Sequence, residues 1–178
     1  MSITSYRPSN REWLRRLLSG RPHQVIGEDP RDPYLLRWYV IPRNPLINVY
    51  LHKFLRSDAD TLHDHPWWFV SLILRGGYVE ISETPDRKMK ALCRTSIADW
   101  RSPFWRRCIA YRPATYRHQV VLPTENAAPQ PCWTLIITGR NTRTWGFWCP
   151  VRNRWGRRTG ERFVPWKEFG AAGCGETA

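Results

Sequence analysis

The amino-acid sequence predicts an all-β fold, a sandwich or a barrel, on two observations. From residue 48 onward, short segments rich in β-branched and aromatic residues recur roughly every ten residues. Turn-forming residues separate these segments, for example Gly76-Gly77 and Gly139-Arg140-Asn141. The 178 residues fit one domain with one core. The eight predicted strands are residues 48–55, 67–74, 78–83, 91–97, 108–111, 118–122, 133–138 and 144–148.

A helix and a proline-rich arm precede these strands. Ser9 and Glu12 have the spacing of a capping box, and Gly20 ends the predicted helix. Five prolines between residues 21 and 45 exclude a long helix there, and 34–41 is the one predicted strand of that stretch. We therefore divide a single domain into an N-terminal helix and arm (1–47), a barrel (48–150) and an irregular C-terminal arm (151–178), and expect disorder in 170–178.

The charge of the chain favours an anionic partner. Lys and Arg number 28 against 15 Asp and Glu, which gives a formal net charge of +13. Nucleic acid, phosphate or a carboxylate metabolite would fit that charge. Genomic base composition is the alternative explanation, because almost all of these cations are arginine. No apolar run approaches the ~20 residues of a membrane span, and residues 1–10 lack the apolar stretch of a secretory leader, so we expect a soluble protein with no membrane partner.

The cysteines predict reduced thiols in the cytoplasm. Their number is odd and no C-x-x-C pair occurs, which argues against both a disulfide framework and a thiolate zinc site. They are Cys93, Cys108, Cys132, Cys149 and Cys174.

A histidine pair is the most informative feature of the sequence. In His63-Asp64-His65, residues two apart in a strand share a face, so both imidazoles would converge while Asp64 points the other way. That geometry suits a metal ion. A third neutral donor is available in His118, at the head of a predicted strand.

These residues resemble the two motifs of the cupins, which are double-stranded β-helix (jelly-roll) barrels. The first motif, H-x-H-P, is matched by His63 to Pro66 and closes at Gly76-Gly77. The second has the form P-x-G-x-x-H, and Pro113 to His118 keeps its spacing. The resemblance covers residues 48–148. It implies a cupin jelly-roll barrel with His63, His65 and His118 as metal ligands.

The chain departs from the cupin pattern at two positions, and the departures shape the expected chemistry. Phe69 or Val70 stands where the glutamate ligand would fall, and Thr115 replaces the motif glycine. The resemblance therefore implies a three-histidine site, whose uncompensated ion would attract a small anionic, chelating substrate. Fe(II) suits oxygenase chemistry such as that of a dioxygenase, while Zn, Ni and Cu also suit imidazole. A metal-free barrel remains the alternative.

Further candidates surround this predicted site. Trp67 and Phe69 share the strand face of the histidine pair, so they should line the barrel interior as substrate-binding or core residues. Glu80 is either a general base or a solvated strand residue. His52 is a partner that supports a metal ligand, a fourth ligand or a hydrogen-bonded core histidine. Guanidinium groups near strand ends could bind a substrate carboxylate, or be surface cations; they are Arg75, Arg140 and Arg143.

Residues 145–158 leave two further functions open. This stretch interleaves tryptophan and arginine, as platforms for single-stranded nucleic acid do, although an arm with buried tryptophans and solvated arginines explains the same pattern. A nucleic-acid-associated protein is thus one alternative to the oxygenase. A non-catalytic sugar- or effector-binding cupin, or a sugar isomerase, is another. A homodimer is compatible with all of these.

Overall fold

The structure is a computed structural model. It describes residues 8–27, 29, 31–59, 61–84, 86, 88–99, 101, 105–169 and 173–174. The expectation of disorder for residues 170–178 falls almost wholly outside them.

The chain forms two α-helices, fourteen strands and one 3-10 turn, Trp105–Cys108, within the residues described. The helices are α1 (Asn10–Leu18) and α2 (Trp166–Phe169). The strands are β1 (Gln24–Ile26), β2 (Leu35–Tyr39), β3 (Asn48–Phe54), β4 (Leu62–His63), β5 (Phe69–Arg75), β6 (Gly77–Glu83), β7 (Met89–Thr95), β8 (Ile109–Arg112), β9 (His118–Val121), β10 (Thr124–Glu125), β11 (Ala128–Pro129), β12 (Cys132–Thr138), β13 (Gly146–Arg152) and β14 (Arg158–Pro165). Each of the eight predicted strands corresponds to one of these, so the all-β prediction is confirmed.

The strand order is that of a jelly roll. One antiparallel sheet has the order β1-β2-β3-β12-β5-β8 and the other β14-β13-β4-β9-β6-β7. Followed along the chain, the eight barrel strands β3 to β9 and β12 alternate between the two sheets except at the β6–β7 hairpin, and β3 and β12 lie side by side. This is the double-stranded β-helix that the sequence predicts.

The N-terminal segment extends the first sheet. Ser9 caps α1 by accepting a hydrogen bond from the Glu12 amide, and Gly20 follows the helix with a φ of +68°, a conformation that glycine adopts without strain. The Trp13 indole donates to the Tyr39 carbonyl at 2.8 Å, which docks α1 on β2. β2 in turn pairs with β3 along its whole length.

The C-terminal segment is more regular than the sequence predicts. Residues 158–165, expected in an irregular arm, form β14, which pairs with β13 and widens the second sheet. A strand of mixed polarity at a sheet edge takes its conformation from the neighbouring strand, which a local pattern does not show. α2 then packs against this hairpin, where the Phe169 ring lies 3.6 Å from the ring of Phe147.

One cysteine prediction is wrong. Cys149 of β13 and Cys174 form a disulfide with a Cα–Cα distance of 5.3 Å. They meet because the chain turns back over β13 after β14, a tertiary contact that the spacing of 25 residues does not reveal. The other three cysteines are free thiols, as expected.

The barrel core lies between the sheets. Its buried cluster consists of Ile73, Tyr78, Val120, Leu122 and Cys132, with Phe54 packed against it. Among the described residues, no helix has the length and apolar character needed to cross a membrane.

Candidate metal centre and its cavity

The three motif histidines lie together at one point of the barrel. One nitrogen of each ring falls within 4.8 Å of the other two. His65 Nε2 and His118 Nε2 are 2.9 Å apart, and the His63 and His118 ring centroids are 4.8 Å apart. Two nitrogens held about 2.1 Å from a shared ion at right angles would be about 3 Å apart, so the spacing of His65 and His118 fits two ligands of one divalent metal.

The sheet register explains this convergence. His63 in β4 is the direct antiparallel partner of His118 in β9, although 55 positions separate them in the chain. His65 follows β4 and donates its backbone N–H to the Ala114 carbonyl at 3.3 Å, which ties the first motif to the second.

Asp64 points away from the two histidines, as the strand alternation predicts. Its carboxylate is 0% exposed. It accepts hydrogen bonds from the Gly146 amide (3.0 Å) and the Trp148 indole (3.1 Å), and Arg143 Nη1 lies 2.9 Å from Oδ2. Asp64 therefore fastens the first motif to β13 instead of serving the metal directly.

Glu80 lies behind His118, and the interpretation of it as a solvated residue is wrong. It is 0% exposed, and its Oε1 is 3.0 Å from His118 Nδ1. Arg112 Nε donates to the same oxygen at 3.1 Å and Nη2 to the other. Burial alone would raise the pKa of Glu80, but the hydrogen bonds from His118 and Arg112 outweigh it and lower the pKa to about 2. An ionised Glu80 keeps the His118 proton on Nδ1, which leaves Nε2 free as a metal ligand.

His63 has its own carboxylate neighbour. Its Nδ1 lies 3.6 Å from Asp58 Oδ2, and Asp58 also accepts hydrogen bonds from the Tyr34 hydroxyl and the Val120 amide. Burial lowers the pKa of His63 to about 4, against the opposing effect of Asp58. Burial and the two neighbouring histidines likewise lower the pKa of His65. Both rings are thus neutral at pH 7, the form in which imidazole binds a metal.

The histidine cluster opens on a cavity of about 1050 Å³ between the two sheets. Trp67 and Phe69 line it, as the sequence predicts, and the Phe69 ring centroid is 4.7 Å from that of His65. On the opposite side, Trp145 stacks on His65 at 6.3 Å and on Trp166 of α2 at 5.7 Å. The site is therefore walled by aromatic rings and bordered by the C-terminal helix.

The arginines predicted to bind substrate divide into two groups. Arg143 lines the cavity, where it pairs with Asp64. Arg75 and Arg140 are exposed and lie outside the cavity lining, so they are not placed to touch a ligand there. Strand ends point toward both ends of a barrel, and the sequence does not show at which end the cavity opens.

His52 also lines the cavity but is bound to an arginine. Its Nε2 accepts a hydrogen bond from Arg37 Nε at 2.8 Å, and its ring stacks on Tyr50. Of the three interpretations of His52, this contact matches the hydrogen-bonded core histidine.

Sequence reasoning missed Arg37, Asp58 and Tyr34, all of which line the cavity. Arg37 left one signal. It lies midway between Leu35 and Tyr39 in the predicted strand 34–41, so the strand alternation places a charged side chain on the same face as these two apolar residues. Asp58 and Tyr34 belong to no motif: Asp58 lies in the loop after β3 and Tyr34 directly before β2, and only folding brings them near His63.

Comparisons with known proteins give only remote similarities. No protein-family model matches the chain, and no curated protein matches it. Among solved structures, the protein TT1209 from Thermus thermophilus is 18% identical, with 65% of this chain and 90% of that one covered and a TM-score of 0.41. A Klebsiella pneumoniae protein with a double-stranded β-helix domain is 12% identical, with 64% and 83% covered and a TM-score of 0.40.

An oxalate oxidase in complex with the substrate analogue glycolate is also similar, at 12% identity. The alignment covers 70% of this chain and 59% of that one, with a TM-score of 0.43. Values this low transfer neither family nor activity, and the fold assignment rests on the strand order instead. By that order, and by the meeting of its two histidine motifs, the chain has the double-stranded β-helix fold of the cupins, with a three-histidine cluster suited to a divalent metal.

Proposed function

We propose that the protein is a metal-dependent oxygenase that acts on a small anionic molecule. The observation that carries the proposal is the cluster of three imidazole nitrogens within 4.8 Å of one another at the wall of a large cavity. When bound, Fe(II) would supply redox chemistry with dioxygen and a double positive charge that three neutral ligands leave uncompensated.

The residues of the chain hold this site in a defined state. Glu80 fixes the proton of His118 on Nδ1, and burial keeps His63 and His65 neutral. The rings of Phe69 and Trp145 pack beside the cluster and make the wall of the cavity around it apolar. Charge interactions beside apolar walls are stronger than in bulk water, so the charge of a bound ion would favour an anionic substrate.

The test is metal analysis joined to oxygen uptake. The protein is stripped with chelator and reloaded without oxygen with Fe(II), Zn(II), Ni(II) or Cu(II), and bound metal is measured by emission spectroscopy. His63→Ala and His118→Ala should lose stoichiometric metal while keeping a folded barrel, and His52→Gln should keep the metal. Equal metal content in all variants would exclude the site.

Oxygen uptake then decides the reaction. A panel of small carboxylates and phosphate esters is screened for dioxygen consumption by the Fe(II) protein, with the Zn(II) protein as control. Dioxygen consumption by the Fe(II) protein but not by the Zn(II) protein supports the oxygenase. Turnover of a sugar phosphate without oxygen would support the isomerase instead, and ligand binding that survives metal removal without turnover would support a non-catalytic role.

A second candidate function, binding of single-stranded nucleic acid, rests on the tip of the β13–β14 hairpin. Trp155 is 74% exposed there, and the Arg154 guanidinium lies 4.0 Å from its ring centroid. An exposed aromatic face beside a cation is the arrangement on which bases stack. Binding of an oligonucleotide that weakens steeply with salt and is lost in Trp155→Ala would support this function. Binding unchanged in that variant would exclude the hairpin.

A further inference from the structure

Arg37 is a half-buried cation on the inner wall of the cavity. It lies in β2, in the first sheet, whereas His63 and His118 belong to the second. Both groups line the same cavity, so Arg37 faces the space that the histidines face from the other sheet.

The guanidinium of Arg37 is held in place by neutral groups. Nε donates to His52 Nε2 at 2.8 Å, and Nη1 donates to Gln24 Oε1 at 3.2 Å. The group also lies 4.9 Å from the ring centroid of Tyr50. Gln24, Arg37 and His52 are direct register partners across β1, β2 and β3, so the sheet itself fixes their alignment.

Arg37 has no acidic partner among the residues that the structure describes. The acidic side chains beside the histidines are engaged elsewhere: Asp58 with Tyr34 and His63, Asp64 with Arg143, and Glu80 with His118 and Arg112. Nη2 of Arg37 makes no hydrogen bond within the described chain. A guanidinium taken partly out of water usually pairs with an anion, because its desolvation is costly.

We propose that Arg37 binds the anionic group of the ligand in this cavity, and that the ligand is a small organic acid. The proposal deepens the proposed function and rests on it for the role of the histidines. Nη2 is free of hydrogen bonds to the described chain, and a guanidinium can present two N–H groups to the two oxygens of a carboxylate. The bound acid would therefore carry its carboxylate at Arg37 and extend its other end toward the histidine cluster.

Arg37 and the histidine cluster lie on opposite sheets, and this arrangement also limits which ligands can contact both. A molecule with one anionic group can satisfy Arg37 alone, while a molecule with a second polar group can reach the opposite sheet as well. A short dicarboxylate is thus a suitable probe, and its affinity should rise when a metal occupies the cluster. Arg143 competes poorly for the same acid because Asp64 already neutralises it at 2.9 Å.

The experiment measures succinate binding by calorimetry to metal-free and Zn(II)-loaded protein. Arg37→Gln should weaken binding by about tenfold or more in both forms, and Arg37→Lys should weaken it less, because lysine keeps the charge but not the forked edge. Arg75→Gln removes the same charge outside the cavity and should bind as the wild type does. The thermal midpoint of each variant checks that it is folded. Inorganic phosphate, tested in parallel, distinguishes a general anion site from a carboxylate site.

The outcomes separate this inference from the proposed function. Succinate binding that depends on Arg37 but not on metal would uphold the inference even if the histidines bind no ion. Equal succinate affinity of the wild type and Arg37→Gln, loss of binding in Arg143→Gln with Arg37→Gln unaffected, or no binding of succinate to the wild type would overturn it. Tighter binding of phosphate than of succinate would overturn the carboxylate assignment.

Discussion

Glu80 Oε1 lies 3.0 Å from Nδ1 of His118, so a buried carboxylate orients the histidine of the second motif. Strand register brings the two groups together. Ser82 of β6 pairs with His118 of β9, and Glu80, two residues before Ser82, lies on the same face of β6. Arg112 neutralises the same carboxylate from β8, in the other sheet. The position of one metal-binding ring therefore depends on an ion pair that spans the barrel.

Glu80→Gln should weaken metal binding by roughly 10- to 100-fold, because the amide no longer holds the proton on His118 Nδ1 by charge. It should also lower the free energy of unfolding by about 3 kcal/mol, since Arg112 loses its partner within the barrel. Titration of metal into the chelator-stripped protein, with urea unfolding alongside, measures both effects.

Glu83→Gln is the matched control for Glu80. Glu83 lies on the same strand but pairs with Arg117 and Arg158, away from the histidines. Glu83→Gln should leave the metal affinity unchanged. If both variants bound metal as tightly as the wild type, Glu80 would have no positioning role.

Asp64→Asn should destabilise the barrel without removing a metal ligand. The substitution places an amide N–H₂ where the Trp148 indole and Arg143 both need an acceptor. The expected loss is about 3 kcal/mol of unfolding free energy. Urea unfolding measures it, with Asp86→Asn on the surface as a control that should behave as the wild type. A stability equal to the wild type would contradict the role of Asp64 as the link between β4 and β13.

Acid should destabilise the metal-free protein because its buried histidines resist protonation. Burial lowers the pKa of His52 well below 6.5 and that of His63 to about 4. The unfolded chain binds protons at these rings below pH 6.5 and the folded chain does not, so stability falls as the pH falls. Each ring contributes up to about 1.4 kcal/mol per pH unit, for His63 until its folded pKa is reached.

Urea unfolding of chelator-treated protein on either side of pH 6.5 tests this dependence. His52→Gln should lose less stability with acid than the wild type does, because one titrating ring is gone. Glu80 should add to this loss at the acidic end of the window, because the unfolded chain protonates it near its ordinary pKa of 4.5 while the folded chain keeps it ionised down to about 2. The pKa of His63 is about 4 in the folded protein, against an ordinary value of 6.5. A free energy of unfolding that stays constant between these two pH values would contradict the burial of neutral histidines.

The barrel was predictable from the sequence because strand signals are local. β3, β5 and β6 are rich in β-branched and aromatic residues and are bounded by turn-forming residues, which a single segment of the sequence shows. The turn at Gly76 was equally visible: its φ is +79°, and a Cβ there would lie 2.7 Å from the Pro131 carbonyl. The set of three histidines followed from the resemblance of the two motifs to those of the cupins.

The rest of the site depends on contacts between distant segments. Glu80 was a candidate, but whether it faced solvent or His118 depended on the packing of β6 against β9. Asp58 sits in a polar loop with no motif, and Arg37 in a segment that the barrel pattern does not include. β14 and the disulfide likewise arise only when the chain turns back on β13. Periodicity and composition carry no information on such encounters.

The Cys149–Cys174 disulfide gives the last prediction, because it contradicts the thiols that the sequence predicts. It closes a loop of 25 residues that contains β14 and α2. Cross-linking such a loop restricts the unfolded chain, so Cys174→Ser should lower the free energy of unfolding by about 3 kcal/mol. Cys93→Ser removes an exposed free thiol and should leave that free energy unchanged. Because the disulfide joins the segment containing β14 and α2 to β13, the loss should fall mainly on that segment, visible as faster hydrogen exchange in residues 158–169 than in β5 or β12. Intact mass and thiol titration of the purified, unreduced protein test whether the disulfide forms. Three free thiols support the disulfide, and five would restore the prediction of reduced thiols from the sequence.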